Sequence, residues 1–131
     1  IIERIEEYGV PVTEVVNCGG LAVKNSLLMQ VYADITNRPM KIARSDQACA
    51  VGAALCGAVA AGEFVSIAEA QAAMCGLRDE VYEPNPDSHA VYRELYGIYR
   101  QLHDAFGTTG WSGSLDHVMK SLIEIRERQR K

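Results

Sequence analysis

No two of the four cysteines stand in a C-x-x-C pair, and none has a histidine beside it at metal-ligand spacing. That excludes a zinc knuckle or a dithiol redox motif, and predicts buried, reduced thiols of a cytoplasmic protein at Cys18, Cys49, Cys56 and Cys75. Basic charge is not in excess: a net charge of −4 gives no general attraction to nucleic acid or an anionic membrane surface. A bilayer-spanning run is missing too. The fifteen residues from Ala48 to Gly62 carry no charge, but about 20 are needed to span a bilayer, and here alanine and glycine dominate. There is no basic, apolar and small-residue leader, no internal repeat, no low-complexity tract and no linker. The chain begins at Ile1 on the helix-like IIERIEEYG and reads as a segment of a longer protein.

What is present suits one ordinary core: 131 residues, 48% hydrophobic and 23% charged. The β-branched run TEVV predicts a strand over residues 13–16, ending near Asn17. Leu27, Leu28, Val31, Tyr32 and Ile35 recur at helical intervals, with Asn25 as N-cap and Asn37, Arg38 and Pro39 as the stop. MKIA, residues 40–43, is a second strand, and strand, helix, strand is the unit that makes a parallel pair. The uncharged stretch over residues 45–62 predicts a deeply buried helix, capped by Ser45 or Asp46 and ended by Gly62. Ser66 with Glu69 forms a capping box opening a short amphipathic helix over residues 66–77, followed by the extended VYEPNP. Two further helices are expected, over residues 88–106 through Val91, Leu95, Ile98, Tyr99 and Leu102, and over residues 115–130 through Val118, Leu122 and Ile125, with the loop GTTGWSGS between them.

The basic end RERQRK resembles a nucleic-acid patch. Glu124 and Glu127, placed to meet Arg128 and Lys131 at i,i+4, make it a solvated helix end. His89, His103 and His117 are spaced by fourteen residues but do not all fall on one element and have no carboxylate pattern, so no metal site is assigned. The expected fold class is α/β and helix-rich, with few parallel strands and about five to six helices.

Two physical needs could put Gly19 and Gly20 between strand and helix. One is a tight turn at positive φ, which glycine adopts cheaply. The other is a backbone without Cβ on which a flat or anionic ligand can lie, close to the N–H groups of a helix start. Spacing does not decide between them, since neither G-x-G-x-x-G nor G-x-x-x-x-G-K-[ST] occurs.

The stretch NCGGLAVKNSLLMQVYADITNRPMKIARSDQACAVGAALCGAVAAG, residues 17–62, resembles the adenosine-binding segment and following helix of the FGGY carbohydrate kinases, the bacterial ribulokinases most of all. Gly19-Gly20, Lys24-Asn25, Met29-Gln30, Ala33-Asp34, Arg38-Pro39, Ser45-Asp46-Gln47 and Gly52-Ala53-Ala54 carry the likeness in order, and VYEPNP with YRELYGIYRQLHDAFG resembles the helical C-terminal part. The resemblance implies part of a C-terminal actin-like (ribonuclease H-like) ATPase domain, with residues 1–62 as its nucleotide-side α/β segment and residues 63–131 as a helical C-terminal part. It implies ATP as cosubstrate, magnesium held outside this segment, and phosphoryl transfer to a ketopentose, L-ribulose giving L-ribulose 5-phosphate. Gly19 and Gly20 would line the adenine or ribose pocket, with Asn25 as the polar contact to the base and Lys24 solvated.

The family's catalytic aspartate, phosphate hairpin and sugar pocket precede the segment that resembles this chain. No catalytic residue and no metal ligand is therefore assigned, and the isolated chain is expected to be inactive. Asp34 and Asp46 are read as structural. The alternatives are another FGGY kinase, for xylulose or glycerol, or a non-catalytic helical interaction module. Two strands without neighbours would expose hydrogen-bonding edges, so self-association is expected.

Overall fold

The structure is a computed structural model that describes residues 1–130. The expected pairing of Glu127 with Lys131 lies outside the described residues. The chain divides into two compact units, Ile1–Asn85 and Pro86–Lys131.

The first unit holds α1 (Ile2–Glu7), β1 (Val15–Asn17), α2 (Gly20–Lys24), α3 (Ser26–Thr36), β2 (Met40–Ala43), α4 (Ala48–Ala60), α5 (Ile67–Met74) and β3 (Leu77–Tyr82). The strands form one sheet in the order β1-β2-β3. β1 runs parallel to β2, with Val15 opposite Met40 and Asn17 opposite Ile42, as the strand, helix, strand pattern predicts. β3 is a correction to the expected parallel sheet: it pairs antiparallel to β2, Met40 opposite Tyr82, with an irregularity between Lys41 and Ala43. It also shortens the expected helix over residues 66–77, which stops at Met74. Most of β3 is solvent-exposed, so its alternation of apolar and polar residues is too blurred to read as a strand. β2 thus has both edges paired, and the outer edges belong to β1 and β3.

The core is small. Ala22 from α2, Met29 from α3 and Ile42 from β2 are buried together, with Val23, Leu28 and Tyr82 packed against them. α3 ends where its sequence says it should: Asn37 takes the left-handed conformation at φ 53° and its N–H bonds the Ala33 carbonyl. Arg38 then fastens the entry segment. Its guanidinium donates to the Val12 and Thr36 carbonyls and pairs with Glu6. That contact holds the Glu6 carboxyl below the usual glutamate range.

α4 departs most from expectation. Its uncharged composition predicts deep burial, yet only Leu55 is buried and most of the helix faces solvent. Being apolar all round, it specifies no particular face, and its principal partner is α5, where Ala70 is buried. Cys49 and Cys56 on α4 are exposed, as is Cys18, and Cys75 is half-buried, so the expectation of buried thiols fails with it. The cap is also corrected. The helix begins after Gln47, no side chain caps it, and the Ser45 hydroxyl accepts from the Gln47 N–H at 3.1 Å in the preceding turn. Its other end follows the sequence. Gly62, at φ 82°, donates to Val59 and Glu63 to Ala58, the paired bonds of a Schellman motif.

α5 opens on the predicted box: Ser66 Oγ accepts from the Glu69 N–H at 3.2 Å, and Glu69 Oε2 accepts from the Val65 N–H at 2.9 Å. In all, seven helices are present among the described residues, α2 being the one the sequence did not announce.

The second unit is α6 (Pro86–Gly107) and α7 (Val118–Gln129). Pro86 suits a first helical position, where no N–H is required. The helices run antiparallel, since Glu94 pairs with Arg128 and Gln101 Oε1 lies 3.1 Å from His117 Nε2. α7 starts three residues later than predicted, because Ser114 to Asp116 form a turn in which the serine hydroxyl donates to the aspartate. That bond keeps the Asp116 carboxyl below its usual range. Arg128 reaches across to Glu94 rather than along its own helix to Glu124, and Glu127 meets Arg126 and Arg130. The end of α7 is solvated, as predicted, through different pairs.

Candidate functional site

The chain leaves β1 at Asn17, whose side-chain amide reaches Met40 Sδ at 3.2 Å and the Lys41 carbonyl at 3.5 Å on the neighbouring strand. Cys18 and the two glycines follow directly. Gly19 sits at φ 87° and ψ 172°, a conformation that glycine alone adopts without strain. The turn itself therefore accounts for Gly19. Gly20 is different. It opens α2 with no positive φ, and a Cβ built on it would meet nothing within 4 Å. Neither backbone conformation nor packing within the described residues requires a glycine there. Its bare backbone faces open space.

About one and a half turns of α2 lead from Gly20 to Asn25. Asn25 ends α2 through its N–H to the Leu21 carbonyl and begins α3 by accepting the Leu28 N–H on Oδ1 at 3.0 Å. One side-chain oxygen thus fixes the amide at the junction of two helices, and its NH₂ end remains to donate. Lys24 is exposed and makes no ion pair among the described residues.

Two polar residues of α3 turn out to be structural. Asp34 is 6% exposed and accepts from Gln30 Nε2 and from the Asn85 N–H, both at 2.8 Å. Gln30 Nε2 also donates to the Glu83 carbonyl at 2.8 Å. Together they tie the end of β3 to α3, a role the helical spacing of 30 and 34 permits but does not reveal, since the partner segment lies about fifty residues on. Asp46 is exposed and caps nothing.

A hollow of about 340 Å³ lies at the carboxyl end of β2, where α4 and α5 meet the sheet. Arg44, Ser45, Val51, Leu55, Gln71 and Cys75 line it; Gly19, Gly20 and Asn25 do not. A groove of similar volume between α6 and α7 contains the Glu94–Arg128 pair. Among the described residues, no three His, Cys, Asp or Glu side chains gather to hold a metal ion, and no helix is long and apolar enough to cross a membrane.

Residues 1–61 match the model of the FGGY family of carbohydrate kinases, C-terminal domain. This segment belongs to that family. Curated relatives extend the likeness along the rest of the chain. A ribulokinase of Geobacillus thermodenitrificans is 48% identical over 134 aligned positions, covering 99% of this chain and 23% of its own length. One from Mycolicibacterium smegmatis is 43% identical, covering 97% of this chain and 22% of its own. This chain therefore spans about a quarter of the curated relatives it matches. Among solved structures, a ligand-bound xylulose kinase from Lactobacillus acidophilus superposes with a TM-score of 0.61 at 25% identity, over 72% of this chain and 19% of that one. A gluconate kinase from the same organism gives 0.61 at 26% identity, over the same shares. The helix-rich fold with a small sheet is thus that of FGGY sugar kinases, as the ordered residues of 17–62 imply, and the sheet is mixed rather than parallel.

Proposed function

We propose that this chain forms the adenosine side of the nucleotide pocket of an ATP-dependent, cytoplasmic ribulokinase. In that reaction a terminal hydroxyl oxygen of L-ribulose bonds to the γ-phosphorus of ATP, the bridging P–O bond to the β-phosphate breaks, and the hydroxyl proton is lost. The products are L-ribulose 5-phosphate and ADP. Residues 1–62 are the nucleotide-side segment, and residues 63–131 add β3 to its sheet and are otherwise helical. The observation that carries the proposal is the turn from β1 into α2: Gly20 opens the helix directly after the strand, and, as at other exposed glycines of the chain, nothing stands where its Cβ would be, which leaves room for the face of an adenine or ribose. Gly19 lines the same turn, and the Asn25 NH₂ donates to the edge of the base.

Transfer to a sugar hydroxyl also requires magnesium and a group to take the proton. No residue of this chain is assigned either role. The chain alone is expected to bind adenine nucleotides weakly, to turn nothing over and to associate with itself through the outer edge of β1.

The test is an amide chemical-shift titration of the chain with ADP, paired with Gly20→Val. Shifts centred on Gly19 to Asn25, abolished in the variant without a change in thermal stability, are the expected result. Shifts absent from this turn would favour a non-catalytic helical module. A kinase assay of the polypeptide as it occurs in the cell, with L-ribulose, D-xylulose and glycerol in parallel, then decides the sugar.

A further inference from the structure

Arg38, Arg128 and Arg44 differ in how their charge is met. Arg38 spends its guanidinium on two carbonyls and the Glu6 carboxylate, and Arg128 pairs with Glu94. Arg44, on the rim of the hollow at the end of β2, has no carboxylate partner among the described residues, and none lines that hollow.

Arg44 is nevertheless held in place. Its N–H bonds the Gly76 carbonyl at 2.9 Å and Nη2 donates to the Cys75 carbonyl at 3.1 Å. The guanidinium packs against Gly76, where a Cβ would come within 2.9 Å of Cζ. Ordering a long arginine side chain costs rotamer entropy, and here it leaves Nε, Nη1 and the second hydrogen of Nη2 as donors at the rim, so that Nη2 with either neighbour can grip both oxygens of a carboxylate. Behind them the walls are the apolar side chains of Val51, Leu55 and Met74. The hollow also sits beyond the carboxyl end of β2, where open α/β sheets place ligands.

We propose that this hollow binds a small organic monoanion: a carboxylate gripped by Arg44, carrying a short apolar body that lies against Val51, Leu55 and Met74. One guanidinium matches one negative charge with bidentate geometry. A phosphate dianion would leave a charge unmatched against apolar walls. The site is separate from the Gly19-Gly20 turn and does not depend on nucleotide binding there.

The Cys75 thiol, which lines the hollow, reports occupancy, while Cys49 and Cys56 on the exposed side of α4 serve as internal controls. Alkylation of the intact protein by iodoacetamide is followed at each cysteine by peptide mass spectrometry, with hexanoate, hexanol and inorganic phosphate as probes. Hexanoate is expected to slow alkylation of Cys75 alone, saturably, with a Kd on the order of 1 mM. Arg44→Gln should weaken this at least tenfold, and Gly76→Ala, which displaces the guanidinium, should weaken it as well. Unchanged thermal unfolding certifies the fold of each variant, unchanged rates at Cys49 and Cys56 certify the reagent, and Gly76→Ala decides alone if Arg44→Gln does not fold. The proposal is overturned if hexanoate gives no selective protection of Cys75. It is equally overturned if hexanol or phosphate protects as well as hexanoate, or if protection survives in the variants.

Discussion

α3 and α4 each follow a strand of the same parallel pair, yet they treat solvent in opposite ways. α3 mixes apolar and polar residues and buries Met29, Ala33 and even the charged Asp34. α4 carries no charge and leaves most of its surface open. Hydrophobic content therefore does not set burial here; a facing surface does. α3 has β2 and β3 to pack on and a segment, ending at Asn85, to bond. α4 has α5, whose small residues cover one side around Leu55 and Ala70.

The comparison is sharpened most by Met29→Ala, which should cost about 2–5 kcal/mol in urea unfolding because a fully buried side chain leaves a cavity. Ala53→Glu, on the exposed part of α4, should change stability by less than about 0.5 kcal/mol despite placing a charge in an uncharged run. Equal losses in the two variants would break the contrast and show that α4 is covered in solution. Next in size is Asp34→Ala, which strands the Asn85 N–H and the Gln30 amide and should cost about 1–3 kcal/mol. Amide exchange at Asn85 should accelerate along with it. Asn25→Ala, which removes the cap of α3, should cost about 1 kcal/mol. Asn25→Asp keeps the capping oxygen and loses the NH₂ donor, so it should preserve stability while weakening ADP. A loss of stability in the aspartate variant equal to that of alanine would mean that capping is not what Asn25 contributes.

Local chemistry is legible in most places where the signal and its partner lie within one turn of chain, the expected cap at Ser45 or Asp46 being the exception. Asn25, Asn37, Gly62 and the Ser66–Glu69 box all act as their positions predict. Partners distant in sequence were not legible. Neither the reach of Arg128 to Glu94 nor the tie from Asp34 to Asn85 follows from i,i+4 spacing. β3 was hidden because an exposed, irregular edge strand lacks a clean alternation, and α4 was misjudged because uniform apolarity names no face. At the candidate site the sequence shows two glycines, and only the backbone separates them: positive φ explains Gly19, whereas neither φ nor packing among the described residues explains Gly20.

The smallest effect concerns the fastening of α1, far from either helix in the opening contrast. The Arg38 contact lowers the Glu6 carboxyl relative to an unfolded chain, so the folded state favours the ionised form. The resulting stability is fully present above the unfolded glutamate value and is lost as pH falls through the lower folded value. Both side chains are partly exposed, so added salt should weaken the effect. Glu6→Gln should therefore flatten the acid limb of stability against pH while leaving the difference between α3 and α4 variants unchanged at neutral pH. If the acid limb of the variant matched that of the parent, Arg38 would be holding this segment through the Val12 and Thr36 carbonyls alone.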